Sequence, residues 1–127
     1  MNQADLQAWL DRYIDAWRAN DRASIEALFS EDATYRWRPY GGDDRSATGR
    51  EAIVEAWLDD VDAPGTWEAG YVPYAVDADR AVATGVSRYF ATDDEPERIY
   101  HNVFLLRFDP DGRCTDFTEL YMLEEGE

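Results

Sequence analysis

Glu119 is the carboxylate whose sequence surroundings best suit proton-transfer chemistry. Phe117, Glu119 and Tyr121 occupy alternate positions of a β-favouring run, so they share one face of a predicted strand. Burial among aromatic rings disfavours the charged form of a carboxylate, which makes it a usable general acid or base near neutral pH. We expect Glu119 to act in this way inside a pocket. The alternative is a structural carboxylate that accepts hydrogen bonds from Tyr, Asn or Arg.

Polar side chains elsewhere in the chain are suited to hold a ligand oxygen beside this carboxyl group. Tyr13 and Trp17 lie one helical turn apart on a predicted inward face and offer O–H and N–H donors. Asn102 shares a strand face with Tyr100, and a buried amide there needs a hydrogen-bond partner. The alternatives are that the aromatic residues only fill the core and that Asn102 bonds to Glu119 or Tyr13.

His101 and Cys114 fit catalysis less well. His101 is the only histidine, and alternation puts it on the strand face opposite Asn102, towards solvent or a dimer interface. Cys114 is the only cysteine and has no neighbouring base to activate it as a nucleophile. Since one histidine and one cysteine give no metal-ligand spacing, we expect neither a metal nor another cofactor.

The charge balance limits the partners of the chain. The 127 residues include 28 acidic and 12 basic ones, the formal net charge is −16, and every basic residue is arginine. This charge argues against nucleic acid and anionic membranes as partners. We interpret it as adaptation to a saline habitat, with an arginine-rich coding bias as the alternative. Because the sequence shows no signal-peptide pattern, we expect a cytoplasmic protein.

Apolar spacing predicts two helices at the start of the chain. The first covers residues 5–19. Asn20-Asp21 then provides a break and a new N-cap, and a short second stripe extends to Phe29 before residues 30–32 end it. A helical hairpin is the expected result.

A short strand and a third helix are predicted next. β-favouring residues cover positions 33–40 and stop at a glycine-rich loop. Thr48 and Glu51 then have capping-box spacing, which predicts that each side chain caps the backbone of the other. The apolar stripe of this helix continues to Val61, before Pro64-Gly65 stops it.

Four strand-like runs of about ten residues follow, separated by polar turns. They cover residues 67–76, 81–91, 98–108 and 114–123. Helices followed by a meander of long antiparallel strands is an α+β order, in which the helices cover one face of the sheet. We therefore expect a cone in which a strongly curved sheet wraps the first helix and a pocket opens at the wide end.

The inward faces of these elements supply the expected ligand contacts. Besides Tyr13 and Glu119, the predicted pocket residues are Trp17, Tyr35, Trp37, Trp57, Tyr100, Asn102, Phe104 and Tyr121. Glu119 is the one carboxylate that the strand pattern puts inside the cone. On the opposite face, apolar residues such as Val103 and Leu105 lack cover, and we expect two such faces to pair in a homodimer.

The order of these motifs resembles the nuclear transport factor 2-like superfamily, and in particular its SnoaL-like branch. The segments that carry the resemblance are Tyr13-Ile-Asp-Ala-Trp17, Asn20-Asp21, Ile25-Glu-Ala-Leu-Phe29, Glu31-Asp-Ala-Thr34, Gly49-Arg-Glu-Ala-Ile53, Phe108-Asp-Pro-Asp-Gly-Arg113 and Glu119-Leu-Tyr121. The resemblance covers nearly the whole chain and implies one SnoaL-like domain over residues 1–127 with a cystatin-like cone. The superfamily includes steroid isomerases, polyketide cyclases, epoxide hydrolases, dehydratases and non-catalytic binding or dimerisation modules.

Comparison with the steroid isomerases of this superfamily narrows the chemistry. Tyr13 falls where those enzymes carry a helix-1 tyrosine that donates to the substrate oxygen, which implies an oxyanion-stabilising role. Trp37 and Phe104 fall where they carry an aspartate base and a protonated aspartate, so steroid isomerisation by that mechanism is disfavoured. Some SnoaL-like cyclases use an acidic pocket residue as acid or base, and Glu119 is the candidate for that role.

The leading prediction is a protein that binds or transforms a hydrophobic, oxygen-bearing molecule such as a polyketide, a terpenoid or a steroid-like ring. If it is an enzyme, the chemistry is a cofactor-free isomerase, cyclase, lyase or hydrolase reaction. The alternative is a non-catalytic ligand-binding or dimerisation domain of the same fold. Convergence of Tyr13, Asn102 and Glu119 on a cavity favours a ligand site, whereas tryptophans that fill this space favour the alternative.

Overall fold

The computed structural model of the chain describes residues 1–125. Helices precede the long strands, as the order of the sequence patterns predicts. The elements are α1 (Gln3–Ala19), α2 (Arg22–Glu26), β1 (Phe29–Arg36), a 3-10 helix (Gly42–Arg45), β2 (Ser46–Thr48), α3 (Arg50–Asp59), β3 (Trp67–Asp77), β4 (Arg80–Tyr89), β5 (Arg98–Phe108) and β6 (Cys114–Leu123). Among the described residues, no helix has the length and apolar character that crossing a membrane requires.

α1 lies in the centre of the fold, and local signals fix both of its ends. The Asn2 side chain accepts a hydrogen bond from the Asp5 backbone N–H at 2.8 Å, and the Asp5 carboxylate accepts one from the Asn2 N–H at 3.1 Å. At the other end, Asn20 adopts the left-handed conformation and closes the helix. Leu6 and Leu10 on the inward stripe are fully buried.

The six strands form one curved sheet in the order β2-β1-β6-β5-β4-β3. Strands β3 to β6 form an antiparallel meander, and β1 joins its edge by parallel pairing with β6. α1 packs against β3 and α3 packs against β1, so the helices cover the concave face. This is the α+β cone that the sequence predicts, with helices inside a mainly antiparallel sheet.

β1 differs from its prediction. It runs from Phe29 to Arg36 instead of over residues 33–40, and α2 ends at Glu26. Phe29 pairs with Cys114 of β6 and is fully buried, so its place in the sheet overrides the local helical pattern. Trp37 therefore follows the strand instead of lying within it.

The start of α3 also corrects a prediction. Thr48 belongs to β2, a short strand paired with β1 that sequence reasoning missed, and no capping box forms with Glu51. Gly49 is the N-cap residue, with φ 91°, and Glu51 instead binds Arg22 with Nη1–Oε1 3.0 Å. The helix ends at Asp59, two residues before the predicted limit at Val61.

Alternation along β5 separates the two faces of the sheet as expected. Asn102, Phe104, Leu106 and Phe108 are buried on the concave face, whereas His101, Val103, Leu105 and Arg107 are exposed. We call the exposed side of the sheet the outer face. The concave face therefore supplies the wall of any internal cavity.

Candidate functional site

A cavity of about 380 Å³ lies between α1, α3 and the concave face of the sheet. We call it the inner cavity. Its lining residues are Tyr13, Trp17, Asn20, Tyr35, Trp37, Ala47, Ile53, Ala56, Trp57, Asp60, Val61, Asp62, Tyr71, Ser87, Tyr89 and Glu119. Seven of these are aromatic, so the three tryptophans form the walls and leave a volume suited to a small molecule.

A second, more polar space continues from the inner cavity along the concave face. We call it the outer cleft, and its volume is about 410 Å³. Its lining residues are Asp60, Asp62, Ser87, Tyr89, Arg98, Tyr100, Asn102, Glu119 and Tyr121. Because both spaces share Glu119, Tyr89 and Asp62, they form one site with an apolar interior and a polar outer part.

Glu119 projects from β6 at the junction of these two spaces. The Asn102 side-chain amide on the neighbouring strand donates to Glu119 Oε1 at 3.2 Å. Ser87 on β4 donates in turn to Asn102 Oδ1 at 2.9 Å, and both residues are buried. This chain of hydrogen bonds orients the carboxyl group and matches the predicted alternative in which Asn102 bonds to Glu119.

The surroundings of Glu119 alter its protonation. Burial raises the pKa of Glu119 to about 7, against smaller opposing contributions from the Asn102 hydrogen bond and the positive charge of Arg38. Near neutral pH the carboxyl group is therefore divided between its protonated and ionised forms. A carboxyl group in this state is able to accept a proton and to return one.

Tyr13 and Tyr35 form a pair of hydroxyl groups in the inner cavity, with their oxygens 3.2 Å apart. Burial is the main cause that raises the pKa of both phenols well above their ordinary value, and the nearby Glu119 carboxylate contributes further. Both phenols therefore stay neutral donors. Since their mutual hydrogen bond uses one of the two protons, the other is available to a ligand oxygen. Stacking of Tyr35 on Phe117, with centroids 4.3 Å apart, holds the pair in place.

Tyr71 is a wall residue that sequence reasoning missed. It is 4% exposed, and burial raises the pKa of its phenol. A Cβ atom at Gly85 would collide with the Gly70 backbone oxygen and with the Tyr71 ring, so glycine permits β3 and β4 to pack closely there. Gly85 lies inside a predicted strand, and this glycine is the sequence feature that could have indicated the close approach of β3 to β4 at Tyr71.

Asp60 and Asp62 follow the end of α3 and also line both spaces. The Trp17 indole N–H donates to Asp62 Oδ2 at 3.0 Å, and burial raises the pKa of Asp62. The strand pattern predicts Glu119 as the one carboxylate inside the cone. The structure adds Asp60 and Asp62 to the carboxylates that line this space. The two aspartates lie in a loop without periodicity, where alternation carries no information on direction.

The other predicted site residues divide between the two spaces. Trp17, Tyr35, Trp37 and Trp57 line the inner cavity, and Tyr100, Asn102 and Tyr121 line the outer cleft. Phe104 lines neither. It is 1% exposed and packs its ring on Tyr71 and Phe117, so it belongs to the core beneath the site.

The remaining candidates for chemistry lie outside the site. His101 is exposed on the outer face, where its Nε2 lies 3.0 Å from Glu124 Oε1. Cys114 is fully buried, and burial raises the pKa of its thiol. Within residues 1–125, no group of three His, Cys, Asp or Glu side chains could hold a metal ion.

The fold of the chain is nuclear transport factor 2-like, as it is in several solved structures. A family model described as a SnoaL-like domain matches residues 10–117. The chain therefore belongs to the SnoaL-like domain family. No curated protein matches the chain.

Solved structures support the fold across most of the chain. A nuclear transport factor 2-like protein of unknown function from Mesorhizobium loti has 19% identity and a TM-score of 0.66, with 94% of this chain and 93% of that one covered. A putative isomerase from Bacillus subtilis has 16% identity and a TM-score of 0.72, with 96% and 90% covered. An LEH-like epoxide hydrolase from M. tuberculosis has 11% identity and a TM-score of 0.67, with 94% and 84% covered.

Proposed function

We propose that this protein binds and transforms a hydrophobic, oxygen-bearing small molecule by cofactor-free acid/base chemistry. The observation that carries the proposal is the position of Glu119, between an aromatic cavity and a polar cleft, within a network of Asn102 and Ser87. The descriptions of two structural neighbours, a putative isomerase and an LEH-like epoxide hydrolase, are consistent with proton-transfer chemistry in this fold.

The arrangement of donors and acceptor gives each group a distinct role. A ligand oxygen accepts a hydrogen bond from the Tyr13–Tyr35 pair, which stabilises negative charge that develops on it. Glu119, in its ionised form, takes a proton from the adjacent carbon and returns it to the product at another position. Asn102 holds Oε1 of the carboxyl group, which leaves the second oxygen to take the proton.

Exchange of hydrogen for deuterium in simple ketones tests this proposal without the natural substrate. Alicyclic and aryl ketones such as 1-tetralone are incubated with the protein in D₂O, and deuterium incorporation next to the carbonyl is followed by mass spectrometry. We expect Glu119→Gln to slow protein-catalysed incorporation by about 100-fold, the lower range for a lost general base. Asp111→Asn, at the distant β5–β6 turn, is the matched control and is expected to leave the rate unchanged.

Two results would redirect the proposal. Equal incorporation by the wild type and Glu119→Gln removes Glu119 as the acid or base. Ketone binding without exchange by either protein favours the alternative, a non-catalytic binding domain. That alternative draws support from the polar groups already satisfied within the site, since Tyr13 bonds to Tyr35 and Asn102 bonds to Glu119.

We also propose that the outer face binds a second copy of the chain. Val72, Thr84, Val103 and Leu120 form a row in register across β3 to β6, and its three apolar members are between 36% and 55% exposed. This row carries no charge in a molecule of net charge −16, and self-association at this row would bring no carboxylates into contact there.

Sedimentation equilibrium tests the dimer directly. We expect a mass near twice 14.6 kDa at micromolar concentration for the wild type, and a mass near 14.6 kDa for Val103→Asp. Asp32→Asn in β1 changes a charge elsewhere and serves as a control. A wild-type mass of one chain would contradict the proposal.

A further inference from the structure

The inner cavity combines aromatic rings with carboxylates and lacks a basic side chain. Among its described lining residues are seven aromatic rings and the carboxyl groups of Asp60, Asp62 and Glu119, but no Lys, Arg or His. Such a surface does not offer a counter-charge to an anionic ligand. Aromatic faces attract cations through the negative potential of their π systems, and carboxylates add to that attraction.

Arg98 and Arg38 lie outside the inner cavity and contact other groups. Arg98, which lines the outer cleft, has Nη2 at 3.5 Å from Glu95 Oε2, and its guanidinium lies 5.0 Å from the Tyr89 ring centroid. Arg38 packs over the Tyr121 ring at 4.5 Å. Arg38 and Arg98 act on Glu119 and Asp62 from outside the inner cavity, and the charged side chains that line this cavity are carboxylates.

The aromatic rings and the carboxylates are also adjacent to one another. Trp17 holds Asp62 by a hydrogen bond of 3.0 Å, and the Trp57 and Tyr13 rings meet edge to face with centroids 5.3 Å apart. Glu119 faces the same space from the sheet side. Aromatic rings and carboxylates therefore both line the space that a bound group would occupy.

We propose that the ligand carries a cationic amine or quaternary ammonium group, held by the rings of Trp17 and Trp57 with Asp62 and Glu119 as its counter-charges. This inference rests on the proposed function and names the class of ligand: a hydrophobic organic cation whose oxygen meets the Tyr13–Tyr35 pair. A neutral ligand would bring no positive charge to the half-buried Asp62 and Glu119 inside the inner cavity, where the arginines that act on them do not reach. An anionic ligand would add repulsion.

Three probes of similar shape and different charge test this inference. Benzyltrimethylammonium, its neutral carbon isostere neopentylbenzene, and the anion phenylacetate are titrated into the full chain, and quenching of tryptophan fluorescence is measured. The titrations use about pH 8.5, where Glu119 is ionised, and about 0.5 M NaCl, which screens attraction to the acidic surface. We expect the ammonium ion to bind about tenfold more tightly than the isostere.

Matched variants separate the cavity from the overall charge of the protein. We expect Glu119→Gln and Asp62→Asn each to weaken ammonium binding by about tenfold while isostere binding changes less than about twofold. The asparagine oxygen retains the hydrogen bond from Trp17. Asp111→Asn removes the same charge from the distant β5–β6 turn and should have no effect.

The outcomes distinguish this inference from the function on which it rests. If the isostere or phenylacetate binds as tightly as the ammonium ion, the cationic ligand is wrong and the proposed binding of a hydrophobic molecule stands. If none of the three probes binds, both proposals fail. A loss in Asp111→Asn equal to that in the cavity variants would also overturn the inference, because the attraction would then come from net charge alone.

Discussion

Removal of the ionisable group at position 119 is expected to change how stability depends on pH. The pKa of Glu119 is about 7 in the folded protein and 4.5 in its ordinary environment, chiefly because of burial. The folded protein therefore keeps this proton to a higher pH than the unfolded chain does. Stability from this group is complete below pH 4.5 and falls as pH rises to about 7.

The size of the effect follows from that interval. Each pH unit between the two pKa values corresponds to about 1.4 kcal/mol, so ionised Glu119 lowers the free energy of unfolding by about 3 kcal/mol above pH 7. Glutamine retains an oxygen that accepts the hydrogen bond from Asn102 and does not ionise. Glu119→Gln is therefore expected to match the wild type near pH 4.5 and to exceed its stability by about 3 kcal/mol at pH 8.

Urea unfolding of both proteins at half-unit steps from pH 4.5 to 8 measures this difference. Subtraction of the two curves cancels the titration of the other carboxylates, which matters in a chain with 28 acidic residues. Glu31→Gln, at an exposed position of β1, controls for loss of one negative charge. A difference between Glu119→Gln and wild type that stays constant over this range would refute the reasoning, as would a wild type that gains stability over the variant as pH rises.

Two further predictions concern packing and salt. Gly85→Ala is expected to lower the free energy of unfolding by about 2 kcal/mol or more, because the added methyl group meets Gly70 and Tyr71, whereas Gly70→Ala has open space and should change it much less; urea unfolding compares the two. If the acidic surface reflects a saline habitat, the melting temperature rises with NaCl in a salt-titrated thermal scan, and a flat or falling curve favours coding bias.

The parts of the fold that the sequence predicts well depend on local signals. The strands β5 and β6 have the predicted limits because alternation and the Asp109–Arg113 turn are properties of adjacent residues. The predicted limits of β1 are wrong because they depend on pairing with β6, which is distant in the chain. β2 was missed because its three residues are too few to show alternation. Phe29 pairs with Cys114 across 85 positions, and no local pattern reports that contact.

The same distinction explains the site. Alternation correctly puts Asn102 and Glu119 on one face of the sheet, because that information lies within each strand. It also puts Phe104 there, but alternation does not say how deep along a strand the cavity begins, and Phe104 lies beneath it. Asp62 reaches the site from a loop, and its direction depends on how α3 packs against the sheet.

The two spaces around Glu119 also contain features that lower the stability of the fold. Glu119 is held in surroundings that oppose its charge. Of the three buried polar atoms without a partner among the described residues, Asn20 Oδ1 and Arg98 Nε belong to residues that line the inner cavity or the outer cleft, and Trp67 Nε1 does not. An apolar residue at position 119 would pack the cone without these penalties. Features of this kind are the ones that we expect at the ligand site proposed above, because a cone filled for stability alone has no use for them.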